Sequence, residues 1–309
     1  MRKDFYYDSC GEGKIHGCIW LPETEPVGVV QIVHGIAEYV ERYDSFAQYL
    51  NKQGLIVVAE DHMGHGKTAQ SGTKGFFTGG WRSAVDDTYR LLRETREKYS
   101  QLPYVLFGHS MGSFLTRSIL ICYPDSGISG AVICGTGWIP GAAVGGGIAA
   151  CKMVCRRIGE RNPSEWLQNM VFGSYNKRVE HPRTPYDWLT RDSQIVDAYM
   201  ADPMCGFTVS CGLLRDMLSG IALNQNPKKL AQMNPSVPVL FIAGGDDPVG
   251  SYGEGVKKCA GAFSRAGVED VCVKLFPLGR HEILNEINKE EVYGYVFSWI
   301  REKVLKVPE

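Results

Sequence analysis

The chain has 309 residues, of which 44% are hydrophobic and 22% are charged, and its formal net charge at pH 7 is -1. These proportions are ordinary for a globular protein, and the balanced charge argues against a nucleic-acid-binding protein. The length fits one large α/β domain that carries an insertion. The ten cysteines form no metal-type set of CxxC pairs, so we expect buried free thiols in a reducing compartment.

The sequence contains no stretch that resembles an export signal or a membrane span. The N-terminal residues MRKDFYYDSCGEGK lack an apolar segment of signal-peptide length. The least polar stretch, residues 138–155, is interrupted by glycines and a proline and is too short to cross a bilayer. We therefore expect a cytoplasmic protein.

Short apolar runs that are typical of strands recur along the chain. They are KIHGCIW (14–20), GVVQIV (28–33), LIVVAE (55–60), YVLF (104–107), GAVICG (130–135), VLFIAG (239–244) and VCVKLF (271–276). Most are separated by helix-like segments, at 40–52, 82–99, 112–122, 251–266 and 288–304. This alternation predicts a mostly parallel sheet of about eight strands with helices on both faces. The first two runs lie close together and predict an antiparallel hairpin.

One long segment interrupts the alternation. Residues 136–232 show helix-like pieces and turn residues but no clear strand. We predict that they form a helical cap, inserted into a core made of residues 1–135 and 233–309. Such a cap would cover the carboxyl edge of the sheet, where open α/β sheets bind ligands.

Residues 104–115, YVLFGHSMGSFL, lead from an apolar strand through a GxSxG turn into an apolar helix. This context is typical of a nucleophile elbow, in which a sharp turn exposes a serine. Gly108 and Gly112 carry no side chain that would crowd the turn, and the following helix offers free amides and a positive dipole end. Ser110 is therefore a candidate nucleophile, with His109 beside it as a supporting residue. The alternative is a purely structural turn.

A serine nucleophile needs a base and an acid that orients the base, and in an elbow fold these follow in the order acid, then histidine. His281 lies in PLGRHEILNE, after the last predicted strand, and is the candidate base. The acid is Asp246 or Asp247, in GDDPVG. We favour Asp247, because the proline after it biases it toward an extended conformation.

The oxyanion of such a reaction needs preorganised amide donors. We expect them at Met111, directly after the serine, and at Ile36, in the loop HGIAEYVERYDSF after an early strand. Gly35 allows the backbone to approach closely, and His34 is expected to brace the loop rather than act directly.

The stretch DHMGHGKT (61–68) has a superficial likeness to a phosphate loop. It lacks the GxxxxGK[ST] spacing, and no set of carboxylates and histidines accompanies it at metal-ligand spacing. We therefore expect a tight loop that braces the edge of the sheet there, and no metal or other cofactor for the protein as a whole.

Together, the segments HGIAEYVERYDSFAQYL, DHMGHGKT, GHSMGS, GDDPVG and RHEILNE resemble the α/β-hydrolase branch of monoacylglycerol lipases and bacterial lysophospholipase-like esterases. Proteins of this branch are often described as serine aminopeptidase-like, and the resemblance covers residues 10–304. It implies a serine hydrolase of carboxylic esters that forms an acyl-enzyme on Ser110. It also implies Asp247 and His281 as acid and base, the amides of Ile36 and Met111 as the oxyanion hole, and a small acyl-ester or lipid substrate.

Other functions remain open at this level. An aminopeptidase or a thioesterase would use the same three residues, and a non-catalytic binding protein of this fold is a further alternative. An aminopeptidase would also need carboxylates grouped in the cap to pair with the substrate's ammonium. The acidic candidates there are Glu160, Glu165, Asp187 and Asp197.

The apolar stretch 138–155 is followed by RRIGER, which contains Arg156 and Arg157. It is either a lid that touches a lipid surface or a cap helix that lines an acyl pocket and has solvated arginines. The resemblance does not fix the oligomeric state.

Overall fold

The computed structural model describes residues 1–69 and 74–306. Its centre is a sheet of eight strands in the order β1-β2-β4-β3-β5-β6-β7-β8. The strands are β1 (Arg2–Asp8), β2 (Lys14–Trp20), β3 (Gly28–Val33), β4 (Leu55–Glu60), β5 (Tyr104–His109), β6 (Gly130–Cys134), β7 (Val239–Gly244) and β8 (Val271–Phe276). From β4 to β8 all neighbouring strands are parallel, which confirms the predicted mostly parallel α/β sheet.

The strands from β3 to β7 are buried along their whole length, since helices cover both faces of the sheet. This is why they appear in the sequence as continuous runs of Val, Ile and Leu. Strand β1 has the sequence RKDFYYD, is exposed at alternate positions and lies at the edge. It is missing from the predicted strands because its charged residues give it no apolar run.

The predicted antiparallel pairing of the first two apolar runs is wrong. Strand β2 pairs antiparallel with β1 on one side and with β4 on the other, whereas β3 lies between β4 and β5. The link between β2 and β3 contains Pro22 and Pro26 and is too long and too extended for a tight hairpin turn. It therefore carries the chain past β4 to the centre of the sheet.

Two hydrophobic cores lie on opposite faces of the sheet. The helices are α1 (Asp44–Lys52), α2 (Gly80–Lys98), α3 (Met111–Cys122), α4 (Gly141–Ile158), α5 (Glu165–Phe172), α6 (Ser193–Ala201), α7 (Cys211–Asn224), α8 (Pro227–Leu230), α9 (Glu254–Arg265) and α10 (Lys289–Ile300). Helices α1 and α10 cover one face, and α2, α3 and α9 cover the other. In the described part of the chain, no helix is both long and apolar enough to cross a membrane.

The chain between β6 and β7 forms α4 to α8. Helix α7 packs on α2 and α3 and also on α4, so it connects the inserted helices to those that cover the sheet. The division into a core and a cap at residues 136 and 232 stays a prediction, and its ranges include residues 70–73 and 307–309, which lie outside the described residues.

Candidate active site

Ser110 lies in a sharp turn between β5 and α3. Its backbone has φ 53° and ψ -119°, in a region that residues other than glycine rarely adopt. The amide of Ser110 donates to the carbonyl oxygen of Cys134 at 3.0 Å, so the turn is held against the neighbouring strand β6. The side chain is partly exposed. Strain of this kind persists only where the surrounding structure enforces it, and here it presents the hydroxyl at the sheet's carboxyl edge.

Close backbone packing explains the two glycines that flank this turn. A Cβ atom on Gly112 would overlap the carbonyl oxygen of Val33, at the end of β3. A Cβ atom on Gly108 would overlap the carbonyl oxygen of Gly112 itself. The start of α3 can therefore approach the sheet only if both positions lack a side chain.

His281 and Asp247 form a buried pair. His281 Nδ1 lies 3.0 Å from Asp247 Oδ1 and 3.1 Å from Oδ2. The amide of Val249 donates to Asp247 Oδ1 at 2.9 Å, and the carboxylate has no exposed surface. Asp246 is exposed, so the structure places Asp247 rather than its neighbour against the imidazole.

Ser110 and His281 line one cavity of about 570 Å³. Ile36 and Met111 line its floor beside the serine. Within residues 1–69 and 74–306, no group accepts a hydrogen bond from the amide of either residue. Two free backbone donors thus lie at the end of the cavity where the serine opens.

The loop that contains Ile36 is fixed by Glu38. The amide of Gly35 donates to Glu38 Oε1 at 2.6 Å, and the hydroxyl of Tyr43 donates to the same oxygen at 2.8 Å. Glu38 is buried, which opposes ionisation, but the hydrogen bond from His109 and the charge of Arg42 hold its pKa well below its usual range. A buried carboxylate therefore fixes the backbone next to Ile36.

Arg42 connects this loop to the loop of the candidate base. Its Nη1 donates to Glu38 Oε2 at 2.8 Å and to Glu282 Oε1 at 2.6 Å, and its Nη2 donates to Glu282 Oε2 at 2.7 Å. Glu282 directly follows His281. The sequence analysis did not include Arg42 or Glu282, and the only local signals were the spacing of four between Glu38 and Arg42 and the position of Glu282.

His109, predicted as a supporting residue, belongs to the same network. Its Nδ1 lies 3.2 Å from Glu38 Oε1 and its Nε2 lies 3.3 Å from the carbonyl oxygen of His281. Burial disfavours the charged imidazolium, but the hydrogen bond and the negative charge of Glu38 raise the pKa of His109 above its ordinary value. His109 thus connects the serine turn to both neighbouring loops.

A second set of contacts to His281 comes from the inserted segment. Residues 184–192, TPYDWLTRD, lie along the loop that contains the histidine. The amides of His281 and Glu282 donate to the carbonyl oxygens of Trp188 and Leu189 at 3.3 and 2.7 Å. The ring centroid of Trp188 is 5.1 Å from that of His281. No local pattern in the sequence predicted this contact.

Three buried histidines, His34, His62 and His65, lie behind the loop that contains Ile36. His34 Nδ1 is 2.7 Å from the carbonyl oxygen of Gly35, and its Nε2 accepts from the amide of His62 at 3.0 Å. Burial and the neighbouring imidazoles hold the pKa of His34 well below its usual range. Burial is also the main cause that lowers the pKa of His65 to about 4. His34 and His65 are therefore neutral at pH 7, and the three rings together brace the loop.

The stretch DHMGHGKT does not offer its amides to a phosphate. The amides of Lys67 and Val40 both donate to the carboxylate of Asp61, at 2.9 Å. Asp61 is fully buried. Asp61, the acidic residue of this stretch, therefore already accepts from the amide of Lys67, and it joins the stretch to the loop at Val40.

A mostly parallel eight-stranded sheet, covered on both faces and carrying a strained serine at the end of a central strand, is the α/β-hydrolase architecture. Comparison with known proteins narrows this fold class to one family. The chain belongs to the family described as Serine aminopeptidase, S33 (Hydrolase_4), which it matches over residues 24–288, and within it to the monoglyceride lipase-like branch.

Relatives of known structure or name agree with this assignment. The chain is 30% identical over 308 residues to a monoacylglycerol lipase of Mycolicibacterium smegmatis, with 97% of each chain covered. A thermostable carboxyl esterase from Bacillus coagulans, solved in complex with glycerol, has a TM-score of 0.91 at 30% identity, over 98% of this chain and 99% of that one. A monoglyceride lipase from Saccharomyces cerevisiae shares the fold, with a TM-score of 0.78 at 20% identity over 97% and 95% of the two chains.

Proposed function

We propose that the chain hydrolyses uncharged carboxylic esters, of the monoacylglycerol type, through an acyl-enzyme on Ser110. The observation that carries this proposal is the cavity lined by both Ser110 and His281, with Asp247 buried behind the histidine and bonded to it. The names of the relatives support it, because one is a monoacylglycerol lipase and another is a carboxyl esterase that binds glycerol.

In the proposed reaction, His281 takes the proton of the Ser110 hydroxyl as the oxygen attacks the ester carbonyl. The hydrogen bond between Nδ1 and Asp247 keeps the other ring nitrogen free for this proton and stabilises the imidazolium that forms. The alcohol leaves with the proton from His281. Water, deprotonated by the same histidine, then hydrolyses the acyl-enzyme.

The tetrahedral intermediate carries a negative charge on the former carbonyl oxygen. The free amides of Ile36 and Met111 are the proposed donors to that oxygen. The buried contacts of Glu38 hold the first of these amides in place before substrate arrives. Donors that need no rearrangement during the reaction contribute most to the rate.

The cavity lining favours an uncharged substrate. Its apolar members include Phe114, Trp138, Ile139, Phe172, Phe207, Met217, Leu218 and Ile221. The only carboxylates among the described lining residues are Glu38 and Glu282; Arg42 is paired with both, and His109 is a second basic partner of Glu38. A phosphate or ammonium group entering this cavity would find no unpaired counter-charge, and burying such a charge is costly. A glycerol ester therefore fits better than a lysophospholipid.

The aminopeptidase alternative has little support in the geometry. Glu160 is paired with Arg215 at 3.0 Å and Asp197 with Arg183 at 3.0 Å. The side chain of Asp187 bonds to Thr184. Neither these carboxylates nor the exposed Glu165 lines the cavity. Among the described residues that line the cavity, no unpaired acidic group is thus available for the ammonium of a peptide. The thioesterase alternative would be separated by competing rates on matched oxygen esters and thioesters.

The cap also presents an outer surface that suits a lipid interface. Its exposed apolar side chains are Met153, Ile158, Trp166 and Met170. Arg156 and Arg157 are exposed in the last turn of α4. Apolar side chains next to basic ones favour peripheral contact with anionic lipid. Flotation with anionic vesicles should carry the wild type upward and leave a Trp166→Ser, Met170→Ser variant behind. Equal behaviour of the two proteins would reject this contact.

The first experiment is hydrolysis of p-nitrophenyl esters from acetate to palmitate by wild type, Ser110→Ala and the surface control Ser264→Ala. A monoacylglycerol, a lysophospholipid and an aminoacyl-nitroanilide are assayed alongside. We expect Ser110→Ala to lose at least about ten-thousand-fold in rate and Ser264→Ala to match wild type. Faster cleavage of the lysophospholipid or the anilide than of the monoacylglycerol would overturn the proposed substrate class. Unchanged activity of Ser110→Ala would overturn the mechanism.

A further inference from the structure

Three side chains with metal-binding chemistry converge on the β1–β2 hairpin, outside the cavity. Asp4 on β1 is the direct cross-strand partner of Cys18 on β2. His16 lies two residues before Cys18 and so projects from the same face of that strand. His16 and Cys18 are fully buried, whereas the side chain of Asp4 is partly open to solvent. A small ion could therefore reach the three groups from the side of Asp4.

The separations of the three groups match those around a tetrahedral ion. His16 Nε2 lies 3.2 Å from Asp4 Oδ2 and 3.8 Å from Cys18 Sγ, and Cys18 Sγ lies 3.4 Å from Asp4 Oδ1. Zinc bonds of roughly 2.0–2.3 Å in tetrahedral geometry place neighbouring ligand atoms about 3.3–3.6 Å apart. The side chains need only small movements to take the same ion.

A further carboxylate fixes the orientation of His16. Its Nδ1 lies 2.8 Å from Asp61 Oδ2, and Asp61 is itself fully buried. Histidines that ligate metals almost always donate their other ring N–H to a carboxylate or a carbonyl, which sets the tautomer. Here that arrangement points Nε2 at Asp4 and Cys18.

The local charge balance suits a divalent cation. Arg2 and Lys67 each bond to Asp4, but each also bonds to Glu41, so they retain a partner when Asp4 turns to an ion. With Cys18 as a thiolate, the cluster carries four negative charges, on Cys18, Asp4, Glu41 and Asp61. Arg2 and Lys67 supply two positive charges, so the net charge is -2. One divalent ion neutralises that excess.

We propose that Asp4, His16 and Cys18 bind one zinc ion, with a fourth position open to solvent. A histidine, a thiolate and a carboxylate form a donor set that suits zinc. On binding, the metal displaces two protons, that of the Cys18 thiol and that through which His16 Nε2 bonds to Asp4, and both leave to solvent. The ion would fasten the edge strand β1 to β2, independently of the reaction in the cavity. The sequence analysis expected no metal, because these ligands on paired strands form no familiar ligand spacing.

Cobalt is the probe, because a thiolate bound to Co²⁺ gives a charge-transfer absorption and a tetrahedral site gives strong visible bands. The full chain, without a histidine tag, is freed of metal with a chelator and titrated with Co²⁺. We expect both absorptions to reach a plateau at one equivalent and to disappear when zinc is added. No thiolate absorption at one equivalent of Co²⁺ would overturn the proposal.

Variants assign the absorption to these residues. Cys18→Ser should abolish the thiolate band, and Asp4→Asn should weaken Co²⁺ binding at least about tenfold. Cys10→Ser, which changes an exposed cysteine in the loop after β1, is the matched control and should bind like wild type. Circular dichroism of each metal-free variant verifies that it is folded. The same bands in Cys18→Ser would place the metal elsewhere and reject the site.

Lys67→Gln gives a readout that a purely structural ion-pair network would not produce. Lys67 competes for Asp4 Oδ2 at 3.1 Å, and its side chain is partly exposed, so its removal should leave the fold intact. We expect this variant to bind Co²⁺ several-fold more tightly than wild type, because one competing cation is gone. Unchanged or weaker binding by a folded Lys67→Gln would contradict the proposal.

Discussion

The cavity has a floor and a roof that come from different parts of the chain. The floor is made by loops at the carboxyl edge of the sheet, and around the partly exposed Ser110 it has polar side chains that are buried and hydrogen-bonded. The residues concerned are Glu38, His109, His281 and Glu282. The roof is made by residues between β6 and β7, and it is largely apolar. It includes Trp138, Phe172, Phe207, Met217 and Leu218.

This difference separates two kinds of requirement. Each floor residue has specific partners at fixed distances, so replacing one side chain leaves a buried charge or donor unpaired. The roof offers shape and apolar area, which several side chains can supply. We therefore expect changes in the floor to affect the rate and the stability, and changes in the roof to affect which ester is preferred.

The largest effect is expected at Asp247, the carboxylate that bonds to His281. Asp247→Asn should lower kcat by about ten-thousand-fold with little change in fold, because an amide cannot hold His281 in the tautomer that accepts the serine proton. Steady-state kinetics on a short ester measure this effect. Asp246→Asn, the exposed neighbour, is the control and should stay within about twofold of wild type. Similar losses in both variants would mean that the acid is wrongly assigned.

The second-largest effect is expected at Arg42, which joins the loop of Glu38 to the loop of Glu282. Arg42→Gln should cost about 3–5 kcal/mol in the free energy of unfolding at pH 7, because it leaves Glu282 buried without a counter-charge and removes one of the two basic partners of Glu38. Urea denaturation measures it. Arg82→Gln breaks an exposed pair with Asp86 and should cost no more than about 1 kcal/mol. Equal losses of unfolding free energy in the two variants would show that burial does not strengthen the effect of losing an ion pair.

The same pair of variants has a defined pH dependence. Glu38 and Glu282 have lower pKa values in the folded protein than the ordinary 4.5, despite their burial, because of His109 and Arg42. Their ionised forms therefore stabilise the wild type above pH 4.5, and this stabilisation is lost as the pH falls below it. The gap in stability between wild type and Arg42→Gln should therefore narrow as the pH falls from 4.5 to about 3. A constant gap would exclude the ion pairs as its cause.

A smaller effect is expected at the oxyanion loop. A Cβ atom on Gly35 would lie 2.6 Å from Glu38 Oε1 and 3.1 Å from the Cβ of Ser110, so Gly35→Ala should displace the loop and its amide donor. We expect kcat to fall by about 100- to 1,000-fold while KM changes little. Gly145→Ala, at a position on α4 with open space around it, should leave kcat unchanged. A Gly35→Ala variant with normal kcat would rule out a fixed donor in this loop.

The smallest effect is expected in the roof. Phe172→Ala enlarges the cavity and should move the preferred acyl chain to a longer ester, with a change of about tenfold in kcat/KM for long esters and almost none for the acetate. The control is Met153→Ala, because Met153 belongs to the same inserted segment but is exposed outside the cavity. A fall in kcat/KM that is equal for all chain lengths would place Phe172 with the floor instead.

The sequence predicted much of the sheet because its central strands have local signatures. Buried parallel strands must be apolar on both faces, and the runs at 28–33, 55–60, 104–107 and 239–244 show this directly. The edge strand β1 and the pairing of β2 lacked such a signature. An edge strand needs only one apolar face, and pairing depends on where distant segments lie.

The candidate site divides in the same way. Ser110, Asp247 and His281 could be predicted because each lies in a loop just after a recognisable strand. Arg42 and Glu282 could not, since the two residues are 240 positions apart and neither lies in a pattern that demands the other. The contact of Trp188 with His281 is also a product of how the inserted segment folds back onto the sheet.

The sequence by itself thus determined the class of fold and most of its strands, and it predicted the residues that we propose for the serine chemistry. These follow from short-range rules, namely apolar runs, turn glycines and the order of loops after strands. Only the tertiary structure decided the partners of β2, the buried network between the oxyanion loop and the histidine loop, the apolar roof, and the cluster of Asp4, His16 and Cys18. Each of these depends on side chains brought together from distant elements by packing, and such distances are not encoded in any short stretch of sequence.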